Sequence, residues 1–383
     1  LTTLQKTDSL YKELYRNKAR KGYATFVKYA WAGSREFEIQ PFQHMLAAYV
    51  QALIEGRIKK LFIGIPPQHG KTTLGCDYAV PFALGLNPSL TVAVCGYSQG
   101  IADKSNSAIQ SVMKHPAYNE LFDTKIGLPG LKCNTEEIQT SAGGRVKTVG
   151  IGGGLTGFPV ELGIIDDPFK DRLEANSPTY RQNKWEWYQD VFKARMPDWG
   201  SELMFYTRWH EDDLIGRILD PRSKYYDKKE ADKWAVVALP AIKEATPPMP
   251  QCRKVQDNRK IGEALWPSRH GAEKYEIRKR INPTGFASLD QQRPSAEEGN
   301  KILAEWFNII KAKELPFNPS QVVWDCFIDG AWTDKAQNDE TAILYSYFDK
   351  ATENLYIRNV TGVRKELYQF LEFYSEHAPA NGI

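Results

Sequence analysis

No stretch of eighteen apolar residues occurs anywhere in the 383-residue chain, so it holds no candidate membrane-spanning helix. No signal-peptide pattern opens it, and its start at Leu1 rather than Met reads as a trimmed beginning. The five cysteines (Cys76, Cys95, Cys133, Cys252 and Cys326) are scattered with no CxxC pair. That argues against a zinc knuckle or a disulfide framework and suits reduced thiols in a cytoplasm. A formal net charge of +3 is too small to imply a nucleic-acid partner by itself. Internal repeats and low-complexity segments are absent too. What remains is an ordinary globular composition, 42% apolar and 25% charged, long enough for two or three domains.

The charge is unevenly spread. Residues 1–30 hold seven Lys/Arg against two acids, and residues 251–280 hold nine against four, a net of +5 in each. Solvated helix faces explain such segments most simply; a surface that tracks phosphates is the alternative.

"FQHMLAAYVQALIEG" places Phe42, Met45, Leu46, Tyr49, Val50 and Leu53 at helical spacing, ended by Gly56. Short apolar runs rich in β-formers follow at 61–65, 91–97, 145–151, 160–166 and 202–208. Helical segments such as 101–114 and 178–195 separate several of them. Strands alternating with helices predict an α/β domain with a mostly parallel sheet, buried on both faces. Beyond about residue 225 the pattern becomes irregular, polar and Pro-containing. Three strands at 322–329, 341–349 and 354–360 then lead to a helix carrying Leu367, Phe370, Leu371 and Tyr374 on one face, the opening of a second α/β unit.

"IGIPPQHGKTTLG" (63–75) lies close to the phosphate-loop pattern G-x-x-x-x-G-K-[ST], but Ile65 stands where its first glycine belongs. The physical requirements are a buried strand, a turn with inward N–H groups, a lysine and a hydroxyl at a helix start. "LFIGI" supplies the strand and Pro66 to Gly70 the turn. Pro67, Gln68, His69, Gly70, Lys71, Thr72 and Thr73 are the expected ATP-binding residues, with Lys71 on the β/γ phosphates and Thr72 on Mg²⁺. A chance GKT is the alternative. A second element is expected on a neighbouring strand, and "LGIIDDP" supplies it, with Asp166 to hold Mg²⁺ through water and Asp167 to orient the attacking water. In "YTRWHEDDLIGRI", Thr207 ends a strand where it can sense the γ-phosphate. His210, Glu211, Asp212 and Asp213 do not make HExxH and read as a helix start, where acids suit the dipole.

At this point the chain resembles the large terminase subunit of tailed bacteriophages. "PPQHGKTT", "GIGGGLTGFPVELGIIDDPFKD", "WEWY", "TRWHEDDLIGR", "LDQQRPSAEEGNKI" and "IDGAWTDKAQNDETA" carry the likeness in order, from about residue 35 to the end. The resemblance implies a P-loop ATPase of the ASCE type with a mostly parallel sheet and a small lid. An RNase H-like α/β nuclease, incomplete in this chain, is implied after it. The boundaries are an N-terminal helical segment at 1–34, the ATPase at 35–225, lid and linker at 226–315, and nuclease from 316 to 383. It further implies ATP-driven translocation of double-stranded DNA into a procapsid and cutting of concatemers, with Thr207 and Arg208 coupling hydrolysis to movement. Its implied partners are DNA, a portal protein, a small terminase subunit and copies of itself in a ring. The place of work is the host cytoplasm, docked on the procapsid and in no membrane.

Two departures stand out. The family often has Arg where this chain has Gln68, and a "TGRG" stretch where this chain reads "TGFP" with Phe158. A trans-acting arginine therefore cannot sit at 158, and Arg145 is the substitute candidate, a surface Arg in a strand being the alternative. In the tail, Asp329, Asp334 and Asp339 follow one another at intervals of five. Two-metal hydrolysis needs carboxylates converging from strand ends. The family match assigns Asp329 and Asp339 to Mg²⁺ or Mn²⁺, while Asp334 reads as a polar loop residue. The chain stops soon after the helix that follows, so the remaining acids are expected beyond Ile383 and these residues alone are expected to cut no DNA. Arg278, Lys279 and Arg280 are the candidate DNA contacts. Trp185, Trp187 and Tyr188, at helical spacing, read as core or lid packing. The rival readings are a helicase-like translocase and a nucleotide-gated scaffold without turnover.

Overall fold

The computed structural model describes residues 3–31, 38–294, 307–331 and 340–377, which divide into two units, Leu1–Lys301 and Ile302–Ile383. The first is built on a seven-stranded sheet ordered β3-β4-β2-β5-β6-β1-β7. Its strands are β1 (Lys60–Gly64), β2 (Thr91–Gly96), β3 (Glu137–Gln139), β4 (Arg145–Gly150), β5 (Leu162–Asp166), β6 (Ser201–Phe205) and β7 (Trp234–Ala238). All neighbours run parallel except the short edge strand β3, which is antiparallel to β4.

Strand side chains alternate between faces, and here both faces are apolar. Leu61, Ile63, Val92, Val94, Ile164, Leu203 and Phe205 join one core beneath the helices Tyr23–Tyr29, Pro41–Ile54, Ala79–Leu86 and Gln99–Lys114. Phe62, Ala93, Cys95, Ile165, Met204 and Tyr206 join the other. Trp185, Trp187 and Tyr188 are buried in that second core, as their spacing predicts.

Two features differ from the sequence reading. The sheet does not end near residue 225: β7 pairs with β1 over Lys60–Gly64, so residues 234–238 belong to the seven-stranded sheet rather than to a lid and linker. A smaller core of Ala241, Tyr275 and Phe286 lies beyond it, carried by the helix Ala272–Ile281 and the turn Phe286–Asp290. The basic N-terminal helix Thr3–Lys21 also spends part of its charge internally. Arg16 pairs with Glu120 at 2.8 Å, and Arg20 donates to the carbonyls of Glu120 and Leu121.

The second unit is an antiparallel sheet ordered β10-β9-β8, from β8 (Asp325–Asp329), β9 (Thr341–Asp349) and β10 (Asn354–Val363). The helix Leu367–His377 covers one face through Phe370, which packs with Ile343 and Tyr345. Of the predicted face, Phe370 and Tyr374 make the contact, joined by Phe373, whereas Leu367 and Leu371 are exposed.

Candidate active site

The missing glycine costs the phosphate loop nothing. Ile65 is fully buried and outside the left-handed region, and its carbonyl accepts the Thr207 hydroxyl at 3.1 Å. The loop bends further on, where Gln68 (φ 61°) and Gly70 (φ 84°) are left-handed. Gly70 adopts that conformation without strain, whereas Gln68 must be held in it. His69 turns its ring under the loop, with Nδ1 2.8 Å from the Pro67 carbonyl and its ring against Phe42, Trp266 and His270. Burial lowers its pKa to about 4, so it is neutral at physiological pH. Of the expected binding residues, His69 thus anchors the loop from below. Pro67 and Gln68 are exposed, and Lys71 is buried at the turn's end. Thr73 begins a short π-helical turn, Thr73–Asp77, in which Gly75 lets the backbone pack on Phe205; a Cβ there would lie 2.7 Å from that ring.

The second element is not on the strand next to β1. β6 lies between β1 and β5, and this insertion places Thr207 between the phosphate loop and the paired acids. Lys71 Nζ donates to Thr207 Oγ1 at 2.7 Å and stands 4.0 Å from Asp167. Thr207 N–H donates to Asp167 Oδ1 at 3.2 Å. Asp167 holds φ 41°, an uncommon conformation for a residue with a side chain, and its carboxylate is partly exposed. Thr72 Oγ1 donates to Asp166 Oδ2 at 2.7 Å.

The other oxygen of Asp166 is buried without a hydrogen-bond partner, and the residue is only 2% exposed. Burial, and then repulsion from Asp167, raise its carboxyl well above the ordinary range. A buried carboxylate with a free oxygen beside a threonine hydroxyl fits a hard divalent cation, which prefers oxygen ligands. Thr72 and Asp166 are the residues that would hold Mg²⁺. When bound, it supplies charge neutralisation for a polyphosphate.

Arg208 does not point into this cluster. Its guanidinium grips Asp213 at 2.9 and 3.0 Å and donates to the Glu211 carbonyl. Asp213 in turn caps the helix Leu214–Leu219, as the helix-start reading of "HEDD" predicts. Arg145 is also elsewhere. It begins β4, at the end of the strand away from Gly150, which lies level with Asp166 across β2. It pairs with Glu137 at 2.8 Å and lies 4.7 Å over the Phe158 ring. Within its own chain it stands apart from Lys71, Thr72, Asp166 and Asp167.

Arg278 is engaged with Asp290 at 2.6 Å, whereas Lys279 and Arg280 are exposed. Asp329 is exposed at the end of β8; Asp334 and Asp339 lie outside the described residues. Among the described residues no group of three or more His, Cys, Asp or Glu is placed to hold a metal, and no helix is long and apolar enough to cross a membrane. Sequence reasoning missed His270 and Trp266, which pack on His69, and Gln292, whose side chain reaches Arg208. An irregular stretch gives no periodic signal to find them by; only Gln292 lies in a motif of the likeness, "LDQQRPSAEEGNKI", and no role was read from it.

Parallel strands, a lysine-bearing phosphate loop and paired acids one strand removed define a P-loop nucleotide-binding domain with an inserted central strand. The family described as "Terminase large subunit, T4likevirus-type, N-terminal" matches residues 62–280. That is more than half of the chain, which therefore belongs to the large-terminase family of phage DNA-packaging motors. Similar solved structures include the large terminase of bacteriophage HK97, with TM-score 0.44 and 13% identity over 94% of this chain and 70% of that one. The ATPase domain of the Thermus phage P74-26 large terminase gives 0.40 and 12%, over 68% of this chain and 100% of that one. A large terminase from a thermophilic bacteriophage in complex with ATP-γ-S gives 0.35 and 9%, over 87% and 73%. Among curated proteins none matches the sequence.

Proposed function

We propose that this chain is the ATP-hydrolysing subunit of a packaging motor that drives double-stranded DNA into a procapsid. The observation that carries the reading is the junction of Lys71, Thr207 and Asp167. In it one ammonium is shared between the phosphate-loop end, a strand terminus and a carboxylate. ATP placed on the loop competes for Lys71 and draws it off Thr207 toward the β/γ phosphates. Asp167, already oriented by the Thr207 N–H, then takes the attacking water. Loss of the γ-phosphate returns Lys71 to Thr207, so the end of β6 registers the nucleotide state, and Arg208 ties that end to the helix beginning at Leu214.

The motor works in the host cytoplasm as a ring of copies on a portal, with a small terminase subunit as partner. A helicase-like translocase is the rival reading. Phosphate release measured with and without linear duplex tests the reading. Stimulation by duplex without strand separation supports a packaging motor; strand separation supports the helicase.

The DNA contacts are proposed on Lys279 and Arg280, since Arg278 holds Asp290. Replacing both with Ala should flatten the slope of log affinity against log salt by up to about 2, each lost phosphate contact being worth about 0.9. An unchanged slope returns the pair to solvated surface.

The second unit is proposed to serve a nuclease through Asp329 and Asp339 with Mg²⁺ or Mn²⁺, a reading supported by the family likeness of "IDGAWTDKAQNDETA". Asp329→Asn should leave ATP turnover unchanged and abolish Mn²⁺-dependent nicking of plasmid by the whole protein. Nicking at the parental rate removes Asp329 from the site.

A further inference from the structure

The stretch "LDQQRP" is buried polar chain with no part in the nucleotide chemistry described so far. Asp290, Gln291 and Gln292 are 3%, 2% and 0% exposed. Burying polar groups costs stability unless each finds a partner, so their partners show what the segment does. Asp290 takes Arg278, and its carbonyl accepts from the Ala241 N–H at 2.7 Å. Gln291 pairs with Ile242 in both directions, accepting its N–H and donating to its carbonyl, each at 3.0 Å. These two residues fasten the segment to the chain just beyond β7.

Gln292 alone reaches the catalytic edge. Its Oε1 accepts from the Arg208 N–H at 3.3 Å, and its Nε2 donates to the Leu289 carbonyl at 2.6 Å. The same Oε1 comes close to β1: a Cβ on Gly64 would lie 3.1 Å from the Phe62 ring and 3.2 Å from Gln292 Oε1. The backbone of Gln292 is left-handed at φ 58°, a conformation a side-chain-bearing residue keeps only where its surroundings hold it.

The N–H that Gln292 receives belongs to the residue directly after Thr207. Successive amides, of Thr207 and Arg208, are therefore held by two side chains from distant segments, Asp167 and Gln292. The Thr207 hydroxyl between them receives Lys71. We infer that Gln292 is a positioning residue for ATP hydrolysis: by holding the Arg208 amide it fixes Thr207 where Lys71 and Asp167 meet. The inference rests on the function proposed above, and it makes the end of the first unit a participant in the geometry of hydrolysis.

Gln292→Ala, Gln292→Glu and Gln291→Ala in the whole chain test it, by hydrogen exchange across residues 206–213, ATP affinity and kcat. Gln292→Ala should speed exchange at the Arg208 amide and lower kcat about 10- to 100-fold, as small misplacements in active sites do, with ATP affinity within about 2-fold. Gln292→Glu, whose carboxyl burial keeps protonated, retains an acceptor for the Arg208 N–H and an O–H donor for the Leu289 carbonyl, and should restore most of both. Gln291→Ala removes a comparable buried amide and should lower the melting temperature while leaving Arg208 exchange and kcat unchanged. Unchanged exchange at Arg208 in Gln292→Ala overturns the inference, as does an equal loss of kcat in Gln291→Ala. A parent chain that hydrolyses no ATP overturns the functional reading instead, and the exchange at Arg208 still decides the tie.

Discussion

Asp167→Asn should bind ATP as the parent does and hydrolyse it about 100- to 10,000-fold more slowly, the range over which a positioned general base acts. The substitution is nearly silent structurally. Asn tolerates the left-handed backbone at 167 as well as Asp does, and its side-chain oxygen still accepts the Thr207 N–H. What is lost is the negative charge that orients and accepts from water. Lys71→Ala should fail earlier. Removing a charge-assisted contact to phosphate weakens ATP binding about 10- to 100-fold, and turnover falls with it. Filter binding and phosphate release on the same preparations separate the two. Equal loss of binding in both variants would contradict the assigned roles.

Asp166→Asn should abolish turnover and yet stabilise the nucleotide-free protein. Burial and the neighbouring Asp167 raise the Asp166 carboxyl above its unfolded value. From about pH 4 upward the native state therefore holds a proton that the unfolded chain has released. Folding stability contributed by this group is complete at low pH and is lost as pH rises toward the raised native value. Asn is neutral throughout and escapes the loss, while its oxygen can still take the Thr72 hydroxyl. Without metal or nucleotide, the variant should melt above the parent at pH 8 by roughly 2 °C or more, with the gap closing toward pH 5. Added Mg²⁺ should raise the parent's melting temperature and leave the variant unmoved. A variant that melts below the parent at pH 8 would show that Asp166 is charged and satisfied without a cation.

How much of this could be read beforehand follows from which interactions are local. The strands around "LFIGI" and "LGIID" are continuous apolar runs with both faces buried, and such runs are visible in any window. Lys71, Thr72 and the acid pair sit at fixed offsets from those strands, so their coming together was legible even with Ile65 in the glycine position. The order of the strands was not. That β6 separates β1 from β5 depends on pairing between segments some 140 residues apart, and no local pattern records it. Ion pairs were hidden for the same reason. Arg145 read as available until β3 brought Glu137 beside it, and Arg278 until the turn Phe286–Asp290 brought Asp290. β7 was missed because "WAVVA" is short and lies in a polar stretch; its partner β1 makes it a strand.

Phosphate release by the unmodified chain, with ATP and Mg²⁺ and with a chelator as control, tests the central claim most directly. The arrangement of Lys71, Thr72, Asp166 and Asp167 predicts continuous turnover that the chelator stops. Tight ATP binding with no phosphate released, in the presence of Mg²⁺ and duplex DNA, would contradict it and leave a nucleotide-gated scaffold.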